Sequence, residues 1–315
     1  RAFVEEDDLR GTRHEHDAFA VHQRRLYALL DCARLRAARF KVAIDCCNGV
    51  GAYFSRGFLE GLGCEVVTLF DETDGVFRRT PEPVAANLSA LGDTVRAHGC
   101  VVGFAQDPDG DRLAIVNAQG HPIGEQATVV LGADHVLACS PGPVVVNVQT
   151  TRALTDVARA HGCVVHYAPV GEINVANMML AMGAVIGGEG GSGGLIWPAF
   201  HACRDSHVGM ALVLEMMAVR NQTLDQILAG IPQYCTARAR VPCSAARAVH
   251  VVRALTRAHT QARATLIDGL RLDWDDAWVL VRGSNTEPIM RVFAEATTQQ
   301  RADELVRQFA HEITD

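Results

Sequence analysis

No apolar run of about eighteen residues, the length needed to cross a bilayer, occurs in this sequence, so no transmembrane helix is expected. The opening segment, Arg1-Ala-Phe-Val-Glu-Glu-Asp-Asp8, is acidic and lacks the apolar stretch of a secretory signal. Membrane partners are therefore not expected, and a cytoplasmic location is. The first residue is not methionine, which points to a fragment or a trimmed chain. The ten cysteines include no Cys-x-x-Cys pair, which argues against a zinc ribbon or a thioredoxin-type centre. Cys46, Cys64, Cys100 and Cys163 fall in or beside strand-like runs, and buried thiols of a reducing compartment are the plainer account. Lysine is nearly missing: Lys41 stands alone among 29 basic residues, and the rest are arginine. Such a bias follows from GC-rich coding more than from chemistry. A basic surplus is missing too, and the formal charge of −7 argues against a nucleic-acid partner.

What remains is an ordinary globular composition, 49% hydrophobic and 21% charged, over 315 residues, enough for about two or three domains. Residues 14–38 are expected to form one arginine-rich helix, with Leu26, Leu29, Leu30 and Leu35 on its apolar stripe. Strands are expected at 41–45, 64–70 and 101–105, with helices through residue 62 and over 84–98. The alternation starts again after Ser140-Pro-Gly-Pro143, a natural linker: strands at 144–148, 164–168 and 184–187 alternate with helices at 151–161 and 172–182. Strand-helix alternation predicts α/β units built on a parallel sheet with helices on both faces, and the two similar units suggest a structural duplication. From about 242 the order changes to a helix (245–262), three strands (270–274, 278–282, 290–296) and a helix (301–313), which predicts an α+β domain with an antiparallel sheet. The expected division is 1–40, 41–139, 140–241 and 242–315.

Chemistry concentrates in three places. Asp107-Pro-Asp-Gly-Asp-Arg112 puts three carboxylates at alternate positions on a short loop between two strand-like runs, where an α/β fold carries its chemistry. Crowded carboxylates are well matched to a hard divalent cation such as Mg²⁺, though a solvated acidic turn is the competing account. An EF-hand is excluded, because Arg112 stands where its glycine is needed and Ala118 where its bidentate glutamate is needed. The loop also fits a haloacid-dehalogenase-type nucleophile poorly. Gly187-Gly-Glu-Gly-Gly-Ser-Gly-Gly194 lets backbone approach a ligand closely and carries one charge, Glu189, able to accept hydrogen bonds from sugar hydroxyls; a flexible linker is the alternative. It is not a dinucleotide fingerprint. Arg282-Gly-Ser-Asn-Thr-Glu-Pro-Ile-Met-Arg291 brackets a hydroxyl- and amide-rich turn with two arginines, a cradle suited to phosphate, or else an ordinary strand-connecting turn.

Together these motifs resemble the α-D-phosphohexomutase family: the phosphoglucomutases, phosphomannomutases and phosphoglucosamine mutases. Asp107–Arg112 is similar to the family's metal loop, Gly188–Ser192 to its sugar-specificity loop, and Arg282–Pro288 with Arg291 to its phosphate-binding loop. Thr80-Pro-Glu-Pro83, Asp45-Cys-Cys-Asn-Gly-Val-Gly51 and Pro169-Val-Gly-Glu-Ile-Asn174 are similar to lesser signatures. The resemblance runs in the expected order from about residue 14 to the end. It implies two successive phosphohexomutase-type α/β domains, then the α+β domain. It implies Mg²⁺ on Asp107, Asp109 and Asp111 with Arg112 in support, sugar contacts from Glu189 and Ser192, and phosphate contacts from Arg282, Ser284, Asn285, Thr286 and Arg291. The implied reaction is interconversion of hexose or hexosamine 1-phosphate and 6-phosphate by phosphoryl transfer through a phosphoserine.

The serine is the departure. No serine here is followed by His-Asn-Pro or His-Asp-Pro; Ser206-His207 continues as Val208-Gly209. The resemblance then implies that the serine domain is lacking, that residues 1–40 hold a linker and the last helix of that domain, and that the 315 residues alone are inactive. Two smaller departures are one glycine more in the sugar loop and Glu172 where many relatives place a lysine or aromatic residue. Three readings stay open: a truncated mutase, a noncatalytic sugar-phosphate-binding protein, and one half of a split mutase with the serine domain supplied in trans. The split form would leave Leu26, Leu29 and Leu30 partly bare. Nothing in the sequence separates hexose from hexosamine phosphate.

Overall fold

The computed structural model describes residues 18–284 and 287–314. Helices α1 (Ala18–Tyr27) and α2 (Cys32–Ala38) lead into the first unit, formed by β1 (Lys41–Asp45), α3 (Gly51–Gly61), β2 (Glu65–Leu69), α4 (Ser89–His98), β3 (Val102–Gln106) and β4 (Leu113–Asn117). Its sheet order is β2-β1-β3-β4, with β1 parallel to both neighbours and β4 antiparallel to β3. The register Gln106↔Leu113 makes residues 107–112 the connection of a hairpin. So the acidic loop hangs at the C-terminal end of a fully buried strand, where the turn back into β4 holds it.

The second unit runs α5 (Ala127–Cys139), β5 (Val144–Asn147), α6 (Arg152–Ala160), β6 (Val165–Ala168), α7 (Glu172–Met182), β7 (Ile186–Glu189), β8 (Gly194–Trp197), β9 (His201–Arg204), α8 (Ser206–Arg220) and α9 (Leu224–Leu228). Its order, β6-β5-β7-β8-β9, repeats the first unit and adds one strand. Both sheets are therefore mixed and not purely parallel, because β4 and β8 run against the other strands of their sheets. The third unit is a five-stranded antiparallel sheet, β10-β14-β13-β12-β11, built from β10 (Cys235–Pro242), β11 (Arg263–Thr265), β12 (Leu270–Asp273), β13 (Ala277–Gly283) and β14 (Ile289–Ala296), with α10 (Ala245–Ala258) and α11 (Gln299–Thr314). The expected α/β, α/β, α+β succession holds.

Three details depart from the sequence expectation. The helix expected over 14–38 is two helices among the described residues, because Asp31 accepts the Arg34 N–H at 3.0 Å and caps α2 afresh. The break turns Leu29 outward while Leu26 and Leu35 are sealed in the core. Those two share a core cluster with Phe58 and Leu59 of α3, the adjacent Leu62 and Met217 of α8, so α1 and α2 are part of the first unit's core. Residues 84–98 begin with a short 3-10 turn before α4 starts at Ser89. Finally, α5 covers α6, α8 and β7, so the boundary expected at residue 140 separates a helix from the sheet that it covers.

The first and second units share one apolar core, which runs from Val42 and Phe104 through Leu113 to Leu131 and Leu212. The third unit has its own, centred on Val279, Val292 and Phe309. Arg271 is central to the join between them, beside an apolar cluster of Val148, Trp278 and Leu280 and the bonds of Arg152 to Glu295 and Asp275. The Arg271 guanidinium lies between Tyr167 (4.5 Å) and Trp278 (4.1 Å), donates to the Val148 carbonyl at 2.7 Å and pairs with Asp273.

Where α1 meets α3 and α8, His207 is buried among Phe19, Phe58 and His22, with Nε2 3.1 Å from Ser55 Oγ. Burial pushes its imidazole down to about 4, Asp205 pulling the other way. An unfolded histidine titrates near 6.5, so between those values the unfolded chain binds the proton first. Stability from neutral His207 is complete above about 6.5 and lost as pH falls toward 4, by about 3 kcal/mol in all. Urea unfolding at pH 7 and pH 4.5 should show a loss about 2 kcal/mol larger in the native chain than in His207→Gln. Equal losses would show that this histidine is not held neutral.

Candidate functional site

The acidic loop is built from below by the turn after β1. Cys47 and Asn48 both adopt left-handed backbone, which brings Gly49 under Pro108. A Cβ at position 49 would lie 2.3 Å from the Pro108 carbonyl oxygen, so only glycine fits, and Val50 N–H donates to that oxygen at 2.8 Å. Gly110, at φ 74°, completes the reversal. Asp107, Asp109 and Asp111 then present ligand oxygens that all lie within 4.8 Å of one another. Asp107 is buried, Asp111 half-buried and Asp109 exposed. Burial, followed by the crowding of Asp111 and Asp109, holds the Asp107 carboxyl well above the ordinary carboxylate range, although it accepts the Arg112 N–H at 3.1 Å. Among the described residues Asp111 Oδ1 is buried without a hydrogen-bond partner. A set of hard oxygen donors with one orphaned oxygen fits a divalent cation. Arg112 stands beside it, its Nε 3.4 Å from Asp107 and 3.7 Å from Asp111, and its other arm reaches Glu82 of the 80–83 loop at 3.7 Å.

That loop is held by a residue without a visible motif. Arg79 is almost fully buried, pairs with Asp45 at 2.7 Å and donates to the carbonyls of Thr80, Pro81 and Gln106. It ties the end of β1, the end of β3 and the 80–83 loop into one piece.

A second residue outside the motifs joins the metal loop to the glycine-rich loop. Arg204, at the end of β9, pairs with Asp111, with Glu189 at 2.9 Å and with Glu172 at 3.4 Å. Glu172 is therefore an internal partner of Arg204, accepting its backbone N–H at 2.8 Å. Glu189 is buried and already receives Asn147 Nδ2 (3.0 Å), Gly171 N (2.7 Å) and Arg204. A carboxylate offers about four acceptor positions, so about one remains for a ligand. Ser192 Oγ donates back to the Glu189 carbonyl at 3.2 Å and closes the loop. Next in sequence, Asp205 caps α8 and takes His22 (2.6 Å) and His201 (2.9 Å) on its other oxygen. Ser206 then donates to the Gly110 carbonyl at 2.5 Å, so α8 begins directly against the metal loop.

The phosphate motif lies across a cleft of about 550 Å³, whose lining includes Glu82, Gln149 and Gly191 on one side and Arg282 and Arg291 on the other. Arg282 pairs with Asp268 at 3.3 Å, Arg291 with Glu287 at 3.5 Å, and Ser284 N–H donates to Ile289. Asn285 and Thr286 lie outside the described residues. Glu82 thus connects the two sites, with Arg112 on its metal side and the arginine wall on the other.

Residues 20–120, 124–234 and 238–312 match, in turn, the phosphoglucomutase/phosphomannomutase alpha/beta/alpha domain II, alpha/beta/alpha domain III and C-terminal domain. The chain belongs to the phosphoglucomutase/phosphomannomutase family. A probable phosphoglucosamine mutase of Methanopyrus kandleri is 34% identical over 299 residues, which cover 94% of this chain and 65% of that protein. The crystal structure of a family protein from Burkholderia thailandensis superposes with a TM-score of 0.84 at 27% identity, covering 96% of this chain and 66% of that one. N-acetylphosphoglucosamine mutase of Aspergillus fumigatus, solved with GlcNAc-6P and magnesium, shares the fold at a TM-score of 0.64 and 17% identity, over 93% of this chain and 70% of that one. This chain thus spans about two-thirds of the length of these proteins. The first two matched ranges meet before α5, and residues 20–40 lie inside the domain II match. Among the described residues no helix is long and apolar enough to cross a membrane.

Removing Arg204 would leave Asp111, Glu189 and Glu172 without their shared cation. Breaking a buried ion network by deleting one partner costs about 3–5 kcal/mol. Arg204→Met should therefore lower unfolding stability in urea by about 3 kcal/mol, and Arg204→Lys should recover only a minority, since a point charge cannot serve three carboxylates as a planar fork does. Full recovery by lysine would mean that geometry is unimportant there.

Proposed function

We propose that this chain carries the metal, sugar and phosphate sites of a phosphohexomutase, an intramolecular phosphotransferase that interconverts hexose or hexosamine 1-phosphate and 6-phosphate. The observation that carries the reading is the trio Asp107, Asp109 and Asp111, with a buried orphan oxygen on Asp111, linked through Arg112 and Glu82 to a cleft walled by arginines. Those three aspartates would hold Mg²⁺, which supplies charge neutralisation for a phosphoryl group when bound. The magnesium in the complex of the Aspergillus fumigatus enzyme supports the choice of cation by analogy.

In this reading Arg112 adds positive charge beside the aspartates and offsets part of their mutual repulsion. Glu189 offers its remaining acceptor position to a sugar hydroxyl, and Ser192 holds the loop carrying it. Arg282, Ser284 and Arg291, with Asn285 and Thr286 from the sequence motif, hold the phosphate that is not being transferred. Gripping the sugar by one phosphate while the other faces the aspartates places the reacting oxygen, so catalysis here is chiefly positioning and electrostatics. Glu82 and Arg79 set the distance between the two ends. The nucleophile is the missing part: no serine of these 315 residues sits in a Ser-His-Asn-Pro context. This observation favours a second reading for the chain by itself, a sugar-phosphate-binding protein or one half of a split mutase.

Calorimetry should detect Mg²⁺ binding that Asp111→Asn weakens at least tenfold. An assay on glucose, mannose and glucosamine 1-phosphates, with Mg²⁺ and a bisphosphate activator, should give no product from this chain alone and product after a separately made serine domain is added. Turnover by the chain alone would refute the missing nucleophile. Failure with the added domain, while sugar phosphate still binds, would favour the noncatalytic reading.

A further inference from the structure

β10 brings an arginine to the phosphate wall that the loop motif does not include. Arg240 lies directly opposite Arg291 in the β10–β14 pairing, and Arg291 lies directly opposite Arg282 in the β14–β13 pairing. The three side chains therefore form one row across three adjacent strands, on one face of the sheet. Neighbouring strands are about 4.8 Å apart, and like charges directly opposite each other destabilise a sheet. Two members of the row have acids to offset this, Asp268 for Arg282 and Glu287 for Arg291. Among the described residues Arg240 forms no hydrogen bond or ion pair with any side chain. The next position along the strand contrasts with it: Arg238 pairs with Glu125 at 3.2 Å and stacks over Phe293 at 4.9 Å.

Charge accounting across the row gives Arg240 its significance. Arg282 and Arg291 with their two acids are neutral together, so Arg240 supplies the net positive charge of this wall. The wall faces the 550 Å³ cleft, in which Glu82 is the one carboxylate among the described lining residues, and Glu82 is turned toward Arg112. An exposed, unpaired guanidinium beside two others in a cleft is matched by an anion with several acceptor oxygens.

We infer that Arg240 is a third phosphate-binding arginine, the outer arm of a three-guanidinium clamp that holds the phosphate dianion of a phosphorylated sugar. The inference rests on the sugar-phosphate reading of the cleft and names a residue that the loop motif leaves out. β10 is also an edge strand, and edge strands carry charge to block pairing with other chains. That role alone would leave ligand binding unchanged when the charge is removed.

The test uses the full 315-residue chain and two probes, glucose 6-phosphate and inorganic phosphate, titrated by calorimetry. Arg240→Gln, an exposed substitution, should keep its melting temperature and weaken both probes about tenfold, against a similar loss in Arg291→Gln. Equal affinity in Arg240→Gln and the native chain would overturn the inference and leave the sugar-phosphate reading standing. No binding of either probe by the native chain would overturn both. A measurement without any variant is protection from phenylglyoxal, an arginine reagent, followed by peptide mass. Inorganic phosphate should shield Arg240 together with Arg291, and shielding of Arg291 alone would contradict the clamp.

Discussion

The pairing of Arg204 with carboxylates from two units is the constraint on which the rest of the site depends. Asp111 comes from the hairpin of the first sheet, and Glu189 and Glu172 come from a strand end and a helix start of the second. Each acid alone would be an expensive charge in a half-buried place. One planar cation that satisfies all three makes their approach favourable and sets where each can be. The following residues extend the grip: Asp205 caps α8 and Ser206 holds the Gly110 carbonyl. Residues 204–206 thus decide both where the second unit's longest helix begins and where the first unit's acidic loop stops.

The position of the metal loop follows from this clamp together with the glycine contact beneath it. Pro108 is pressed against Gly49, Gly110 is held by Ser206, and Asp111 is held by Arg204. A loop fixed at three points cannot spread its carboxylates to relieve their repulsion, which adds to burial, the larger cause, in raising the Asp107 titration. Repulsion of this kind is stored until a cation offsets it. The same confinement explains why Arg112 stays near the aspartates without making a full hydrogen bond through Nε.

Much of this was legible in the sequence wherever a local pattern carries the information. The three-part architecture, the strand-helix alternation and the three motifs lie in contiguous residues, so periodicity and residue type expose them. The elements that escaped are of a different kind. α8 is buried along nearly its whole length, so it shows no polar stripe by which helical period is recognised, and α5 is similar. β10 did carry the alternation, with Thr236, Arg238 and Arg240 outward and Ala237 and Ala239 half-covered between them, and could have been found. Arg204 and Arg79 could not. Their partners are distant in the chain, 93 residues for Arg204 with Asp111, and nothing local marks a buried arginine before the fold brings acids to it. The break between α1 and α2 was available in principle from Asp31, a cap residue inside an otherwise helical run.

The stacked joint at Arg271 gives the molecule a division of labour in motion. The first two units share a core, while the third has a core of its own and meets them across Arg271, the Arg152 contacts and the small apolar cluster of Val148, Trp278 and Leu280. Rocking across this join would widen or narrow the cleft without disturbing the aspartate loop, which lies wholly in the first two units. The two ends of a bound sugar would then be governed by different equilibria. At the fixed end affinity would reflect the site alone, whereas at the moving end it would be scaled by the fraction of molecules already closed. A substitution at the joint would thus alter how tightly anions are held while making no contact with them.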